Sequence, residues 1–442
     1  MAALGACGEW LVSTYEKKLI AIHTKKSREP FVFDCSAAEQ KPKDPEADNK
    51  SDGSEETGSD KILAFAVSSS AKLVALTDDT KRLVLFRCEP SWQVISTRWV
   101  VRRCTSLVFT EAEDEVWAAD KSGDVYSFSV VEPQKTGELK LGHLSMLLSM
   151  TLTPNDKYVV TADRDEKIRV SHLRSPHNIQ AFCLGHLEFV SSLLAPPGHP
   201  QWLLSGSGDG TMKLWEYESG RRLQSWDLKQ LRDMPNSDTE KEKRSAVSRI
   251  AGSPGGQHVA VQCERSAVSR IAGSPGGQHV AVQCERVPSV QFFGMEQGTE
   301  ERLVPSSRVT LPHCPLDLTF DPQGRLWVLL DSRETPFLMY THTQGSWQCD
   351  SESPQLKRVT EALQPHWEAL QVSAGLESRF QHLYKGNFDN MASYREKKEQ
   401  RLQQQNEQGG KKRGPGKGQQ SNGASKKAKK GNQSGPVTKA SS

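Results

Sequence analysis

Residues 185–215 read GHLEFVSSLLAPPGHPQWLLSGSGDGTMKLW and spell out one complete unit of a repeating sheet. Gly185-His186 opens the unit, the apolar run 190–194 has the length of a strand, 195–200 is a turn, and 202–205 begins the next strand. Gly208-Asp209-Gly210 then supplies a tight turn, since glycine tolerates positive φ and Asp can bond its own backbone, and 211–215 is the strand it leads into. The polar residues have a mechanical reason for their spacing. Ser205 lies four residues before Asp209 and Trp215 six after it, so the hairpin can bring all three to His186. Asp209 can accept from the imidazole, the other ring nitrogen can accept from the Ser205 hydroxyl, and that oxygen can accept the donor-only indole of Trp215. Ser, His and Asp also make hydrolase triads. No nucleophile elbow surrounds Ser205, however, and Asp209 sits in a hairpin turn, so the relay is structural.

Weaker copies of this unit occur along the chain, and together they carry the pattern of WD repeats. Residues 10–35 hold two strand-like runs, 19–22 and 31–33, that suit an opening blade. Blade two runs over 62–86 and blade three over 104–130, with Phe128 in the place of Trp215. Blade four starts at Gly142-His143 and has Ser171 where Trp is expected, so its relay is incomplete. Asp165 aligns there with Asp209. Equivalent points at Lys72, Glu115, Lys157 and Gln201 are spaced by 43, 42 and 44 positions, the regularity of stacked sheets that cannot bury both faces alone. With a last blade over 316–340, the expectation is an all-β, seven-bladed WD-repeat β-propeller.

Blade six is where the regularity fails. Residues 244–264 recur unchanged at 265–285, a tandem copy only half a blade long. One copy is surplus, because removing either restores a plausible spacing. The Gly252-Ser253-Pro254-Gly255-Gly256 run lacks the Gly-Lys-Ser/Thr ending of a phosphate loop and reads as a hairpin turn.

The remaining segments divide by charge. The organisation is 1–36 as opening blade, 37–60 as an acidic disordered insertion, 61–350 as the other blades, 351–405 as an extension with a polar helix, and 406–442 as a disordered basic tail. The insertion from Glu39 to Asp60 has eight acids and three lysines. Residues 395–442 carry thirteen Lys or Arg against three Glu, an excess of +10, so a net charge of +3 leaves −7 for the rest. A basic tail on a mildly acidic body points to an anionic partner, nucleic acid first, and the clusters 411–413 and 426–430 look like a two-part nuclear import signal. Asp389 or Asn390 could cap the polar helix, on which Lys397, Lys398 and Arg401 would touch RNA phosphates without reading bases. There is no leader and no apolar run long enough to span a bilayer, so neither secretion nor a membrane contact is indicated. Nine cysteines without a C-x-x-C pair argue against a disulfide framework or a zinc site and read as buried free thiols.

These residues resemble one family in particular, the non-catalytic WD-repeat subunits of tRNA guanine-N7 methyltransferases. The resemblance is carried by ADKSGDVYSF at 119–128, LGHLSMLL at 141–148 and TADRDEKIRV at 161–170, with Leu383-Tyr384-Lys385 and Phe388-Asp389-Asn390 behind them. It covers most of 62–405 and departs at 244–285. It implies a scaffold that forms a heterodimer with a catalytic subunit, holds it in an active arrangement, and reaches tRNA through the complex. S-adenosylmethionine belongs on that partner, which methylates a guanine of the tRNA variable loop, and this chain carries no cofactor and no catalytic residue of its own. No Gly-rich strand-to-helix turn contradicts this. The resemblance further implies that charged residues of 165–169, with Glu166, Lys167 and Arg169 foremost, face the catalytic subunit. Glu166 stands where the reference blade has Gly210, and Lys167 and Arg169 alternate with Ile168 along a strand. The alternative is a ubiquitin-ligase substrate receptor or another nuclear interaction scaffold, but Trp215 is followed by Glu216 rather than by the Asp-x-Arg such receptors carry.

Overall fold

In the computed structural model the residues described are 2–41, 58–196, 199–227, 247–252, 259–264, 268–273, 280–285, 287–296, 302–344, 346–368 and 381–384. They form seven sheets in chain order, six of them four-stranded and wholly antiparallel, each built from four consecutive strands. The chain is an all-β propeller of the WD type, and among the described residues it has a single α-helix. It divides into one compact unit over 1–385 and a second over 386–442, the latter outside the described residues, as is the polar helix expected near 389–405.

The strand patterning follows from burial. In the central strands apolar side chains line both faces, as in Leu73–Asp78 and Leu326–Leu330, because each sheet packs on a neighbour at either side. The repeat spacing reappears as hydrogen bonds between blades. Leu193 N donates to Ser149 Oγ (3.1 Å), Met150 N donates to Ser106 Oγ (3.2 Å), and Thr105 Oγ1 donates to the Leu147 carbonyl (2.8 Å). These pairs are 44, 44 and 42 residues apart, so the sequence period is the register with which one inner strand meets the next.

The opening sheet has four strands, Ala3–Cys7, Trp10–Tyr15, Lys18–His23 and Phe31–Asp34, where the sequence showed two runs. Both terminal sheets are therefore complete by themselves, and neither lends a strand to the other. The ring closes instead through side chains. Leu4 N donates to the buried Asp317 carboxylate across the seam, and Leu4, Leu11 and Ile20 of the first sheet share a core with Trp327, Leu329 and Phe337 of the last. The helix Pro354–Leu363, which sequence patterning missed, lies on this seam. Pro354 suits its first position, and Leu356, Val359 and Leu363 recur at helical spacing to enter the same core with Trp367. Arg358 Nη1 donates to the Thr24 carbonyl (2.8 Å) in the first sheet while Arg325 of the last reaches Gln355.

The stems of the acidic insertion are tied down. Arg82, fully buried, donates to Asp78 Oδ2 (2.7 Å) and Asp60 Oδ1 (2.5 Å), and more weakly to the carbonyls of Ala38 and Glu39. Disorder expected over 37–60 is thus corrected at both ends, while 42–57 lies outside the described residues. Of the seven described cysteines, all free, five are buried. No helix among the described residues is long and apolar enough to cross a membrane.

The duplication makes the one irregular sheet, with six strands. Val247–Gly252 pairs with Val259–Glu264 and Val268–Gly273 with Val280–Glu285, so each copy is a hairpin. Between the copies Cys263 faces Cys284 and Glu264 faces Glu285 in a parallel pair. Both leading strands compete for one place: Val247–Gly252 contacts Val190–Leu194 of the blade before, and Val268–Gly273 contacts Pro315–Phe320 of the blade after. The second hairpin together with Val287–Glu296 and Arg302–Thr310 already makes a four-stranded antiparallel sheet. Deleting 265–285 should therefore leave a soluble chain that melts in one cooperative transition, at a temperature no lower than the full chain. Absence of cooperative melting in calorimetry would show that both copies are needed.

Candidate functional site: the turn-and-strand edge of blade four

The hairpin turns of the propeller are organised by a carboxylate. Asp78, Asp120 and Asp163 each end the second strand of a blade. In each, Oδ1 accepts the amides two and four residues on: Thr80 and Arg82, Ser122 and Asp124, Asp165 and Lys167, at 2.7–3.0 Å. These bonds satisfy turn N–H groups that no strand partner reaches. In blade five Ser207 holds that position, and the carboxylate has moved two residues on to Asp209, which accepts from Thr211 N (2.8 Å).

The relay residues of blade five meet. His186 Nδ1 lies 2.9 Å from Asp209 Oδ2, His186 Nε2 lies 2.7 Å from Ser205 Oγ, and Trp215 Nε1 donates to Ser205 Oγ at 2.7 Å. The proton positions follow from the donors available. Burial alone would raise the Asp209 carboxyl, but the bonds from His186, Thr211 and the Leu187 amide outweigh it and hold the group well below the usual carboxylate range. Asp209 is thus an acceptor, Nδ1 carries the hydrogen, and Ser205 donates to Nε2. Burial keeps the imidazole neutral: it pushes the His186 pKa down against the raising effect of Asp209.

Blade four uses different residues for the same purpose. His143 Nδ1 approaches Asp163 Oδ2 at 3.3 Å and Nε2 approaches Thr161 Oγ1 at 2.8 Å. The structural carboxylate is Asp163, which corrects the assignment of that role to Asp165. With no indole at Ser171, a guanidinium fills the gap: Arg169 donates to Ser171 Oγ (2.9 Å), the Gly142 carbonyl (3.0 Å) and the Pro176 carbonyl (2.9 Å). Arg169 is half-buried and ties the outer strand of blade four to the last strand of blade three, a role that its alternation with Ile168 did not reveal.

Glu166 does sit at the left-handed turn position, with φ 58° against 79° at Gly210. A side chain there costs about 1 kcal/mol relative to glycine. Lys167 is exposed, its Nζ 3.3 Å from the Asp165 carbonyl. Apolar side chains that no sheet covers surround this edge. Leu144 is fully exposed in the loop that Arg169 grips through Gly142, Leu184 (62%) follows Cys183, the partner of Ile168, and Leu187 (82%) lies in the same loop as Leu184. Leucines beside a mixed-charge turn are the composition of a protein-docking patch. Sequence reading missed these leucines because an exposed Leu in a loop has no periodicity. Lys397, Lys398 and Arg401 lie outside the described residues. No group of three or more His, Cys, Asp or Glu among the described residues is placed to hold a metal ion.

The family model of the tRNA methyltransferase TRM82 WD40 domain matches residues 13–140 and 131–351. The chain belongs to this family. A relative from Danio rerio, a tRNA (guanine-N(7)-)-methyltransferase non-catalytic subunit, is 60% identical over 405 residues, 91% of this chain and 92% of its own. Relatives with the same description from Mus musculus and Homo sapiens are 44% and 42% identical, covering 90% and 89% of this chain and 91% and 89% of their own. Among solved structures, U3-55K (18% identity, TM-score 0.54, 79% of this chain and 92% of its own) and the RRP9 WD40 repeats (17%, 0.53, 79% and 91%) share the fold.

The relay predicts a measurable destabilisation. Ser205→Ala leaves the Trp215 N–H and the His186 ring without their shared partner, and should lower the unfolding free energy by about 2 kcal/mol in denaturant titration. It also predicts a pH dependence. Between the lowered folded pKa of His186 and about 6.5 the unfolded chain binds more protons, so stability rises with pH through that window and is lost on acidification. Asp209 adds loss in the same direction below about pH 4, as pH falls towards its own lowered value. His186→Gln should flatten the dependence of melting temperature on pH between 7.5 and 5.

Proposed function

We propose that this chain is the non-catalytic scaffold subunit of an S-adenosylmethionine-dependent enzyme that forms N7-methylguanosine in tRNA. The observation that carries this is family membership across nine-tenths of the chain, with relatives described throughout as non-catalytic subunits of that methyltransferase. The protein is not itself the enzyme. Its partner is the catalytic subunit, which holds the cofactor, and the pair acts in the nucleus, where the basic clusters 411–413 and 426–430 would direct it. The irregular sheet at 247–310 counts as one blade of seven.

The hairpin of blade four docks the catalytic subunit. Glu166 and Lys167 present opposite charges on a turn held rigid by Asp163, with Leu144, Leu184 and Leu187 beside them to exclude water. Charge pairs next to an apolar surface set register as well as affinity. Arg169 braces this surface through two bonds within blade four, to Ser171 and Pro176, and one to Gly142 in the last strand of blade three. The variants then separate. Glu166→Lys and Lys167→Glu should abolish copurification of the catalytic subunit while the melting transition moves little, whereas Arg169→Glu should lose pairing and stability together. Retained pairing in both turn variants would return the hairpin to a purely structural role. The isolated chain should transfer no methyl group to tRNA under conditions in which the heterodimer does.

Lys397, Lys398 and Arg401 contact tRNA phosphates. Replacing all three by Gln should weaken tRNA binding by the heterodimer and reduce the slope of log K against log salt by about one unit for each phosphate no longer neutralised. An unchanged slope would assign these residues elsewhere.

A further inference from the structure

The chain leaves the closing seam at Trp367, packed between the first and last blades, and is next described at Gln381–Leu383, on blades four and five. Residues 369–380 connect these points. At the far end Leu383 is 3% exposed and packs on the fully buried Phe189, with Met146 and Leu148 beside it. The Tyr384 ring meets Phe189 edge-on, centroids 5.1 Å apart. Arg164, in the turn that precedes Glu166, donates from Nε to the Leu383 carbonyl at 3.3 Å.

The seat for this segment is built into the reference blade. A β-carbon at Gly208 would stand 2.5 Å from the Phe189 ring, so the aromatic can lie where Leu383 and Tyr384 meet it only because residue 208 is glycine. The pKa of His382 is lowered by burial and then by the charges of Lys121 and Arg164 in the neighbouring turns. Leu383 also lines a cavity of about 890 Å³ together with Leu107, Met150 and Leu193 of the first strands of blades three to five. A segment that buries its leucine, sets its tyrosine edge-on to Phe189 and accepts a hydrogen bond from the docking turn occupies a fixed site.

We propose that Leu383 and Tyr384 are an anchor that sets where the C-terminal extension leaves the propeller, so that its basic residues act on tRNA from a fixed origin beside the docking hairpin. This rests on the tRNA reading of Lys397, Lys398 and Arg401 given above. Tyr384 stands 13 residues before Lys397 and Glu368 stands 29 before it, so loss of the anchor more than doubles the length of chain between Lys397 and the described contact that precedes it. The effective concentration of a tethered group falls roughly as the −3/2 power of tether length, so release should weaken the tail's contribution to tRNA binding about threefold.

The test compares the heterodimer carrying Leu383→Ser/Tyr384→Ser, the milder Tyr384→Ala, the triple Gln variant of Lys397, Lys398 and Arg401, and the combination of anchor and triple variants. Copurification of the catalytic subunit and the melting temperature verify that the propeller and its pairing are intact, with Tyr384→Ala as the fallback if the double substitution disturbs folding. The expected result is a tRNA Kd raised about threefold by the double anchor variant and less by Tyr384→Ala, with the combined variant no weaker than the triple variant alone. If the triple variant weakens binding while the anchor variants leave Kd unchanged, or if the two effects simply add, the anchor is overturned and the tail reading stands. If the triple variant itself leaves Kd unchanged, the tail reading fails and the anchor's function falls with it.

Discussion

A ring of sheets holds only if its first and last members meet. No blade can bury both of its faces alone, so an open seam would expose two apolar faces and remove the reason for every other blade to stay in line. Among the described residues neither the first nor the last sheet takes a strand from the other. Closure depends on the shared core of Leu4, Leu11, Ile20, Trp327 and Phe337, on the Leu4 amide bound to the buried Asp317, and on the helix Pro354–Leu363 laid over the joint. Side-chain packing across the seam takes the place of backbone pairing.

With the ring closed, the turns along its edge become rigid supports for surface chemistry. The Asp that ends the second strand in blades two to four fixes the turn amides, and a second group holds the other carboxylate oxygen in two of them: Arg82 in blade two and His143 in blade four. Blade five moves its carboxylate to Asp209 and adds an indole. Blade four departs furthest, with a guanidinium where blade five has Trp215 and a glutamate where blade five has a left-handed glycine. Both departures lie on the edge flanked by exposed leucines. Glu166 thus occupies a left-handed position that costs energy for a residue with a side chain.

The duplicated hairpin shows what the ring demands from the opposite side. Two identical strands carry identical patterns, so both satisfy the one inner-strand position, and the sheet accommodates them with a parallel contact in register. Sequence identity makes the two copies equivalent, and only the neighbouring blades, one touching each copy, distinguish them.

The blade period, most strand positions and the blade-five relay follow from the order of amino acids alone, because they depend on local alternation and on donor and acceptor types at short spacing. His186, Ser205, Asp209 and Trp215 all lie within the single stretch 185–215, and their chemistry allows few other pairings. The turn at 163–167 was legible for a similar reason, since turn propensity is a property of neighbours in the chain. Everything that joins distant segments was settled by tertiary structure. That Asp163 and not Asp165 serves His143, that Arg169 replaces an absent indole, and that Arg82 ties both stems of the insertion all depend on which loops the ring brings together. The closing helix and the Leu383 seat were illegible because their apolar residues pack against partners far away along the chain, where no local periodicity can record the contact.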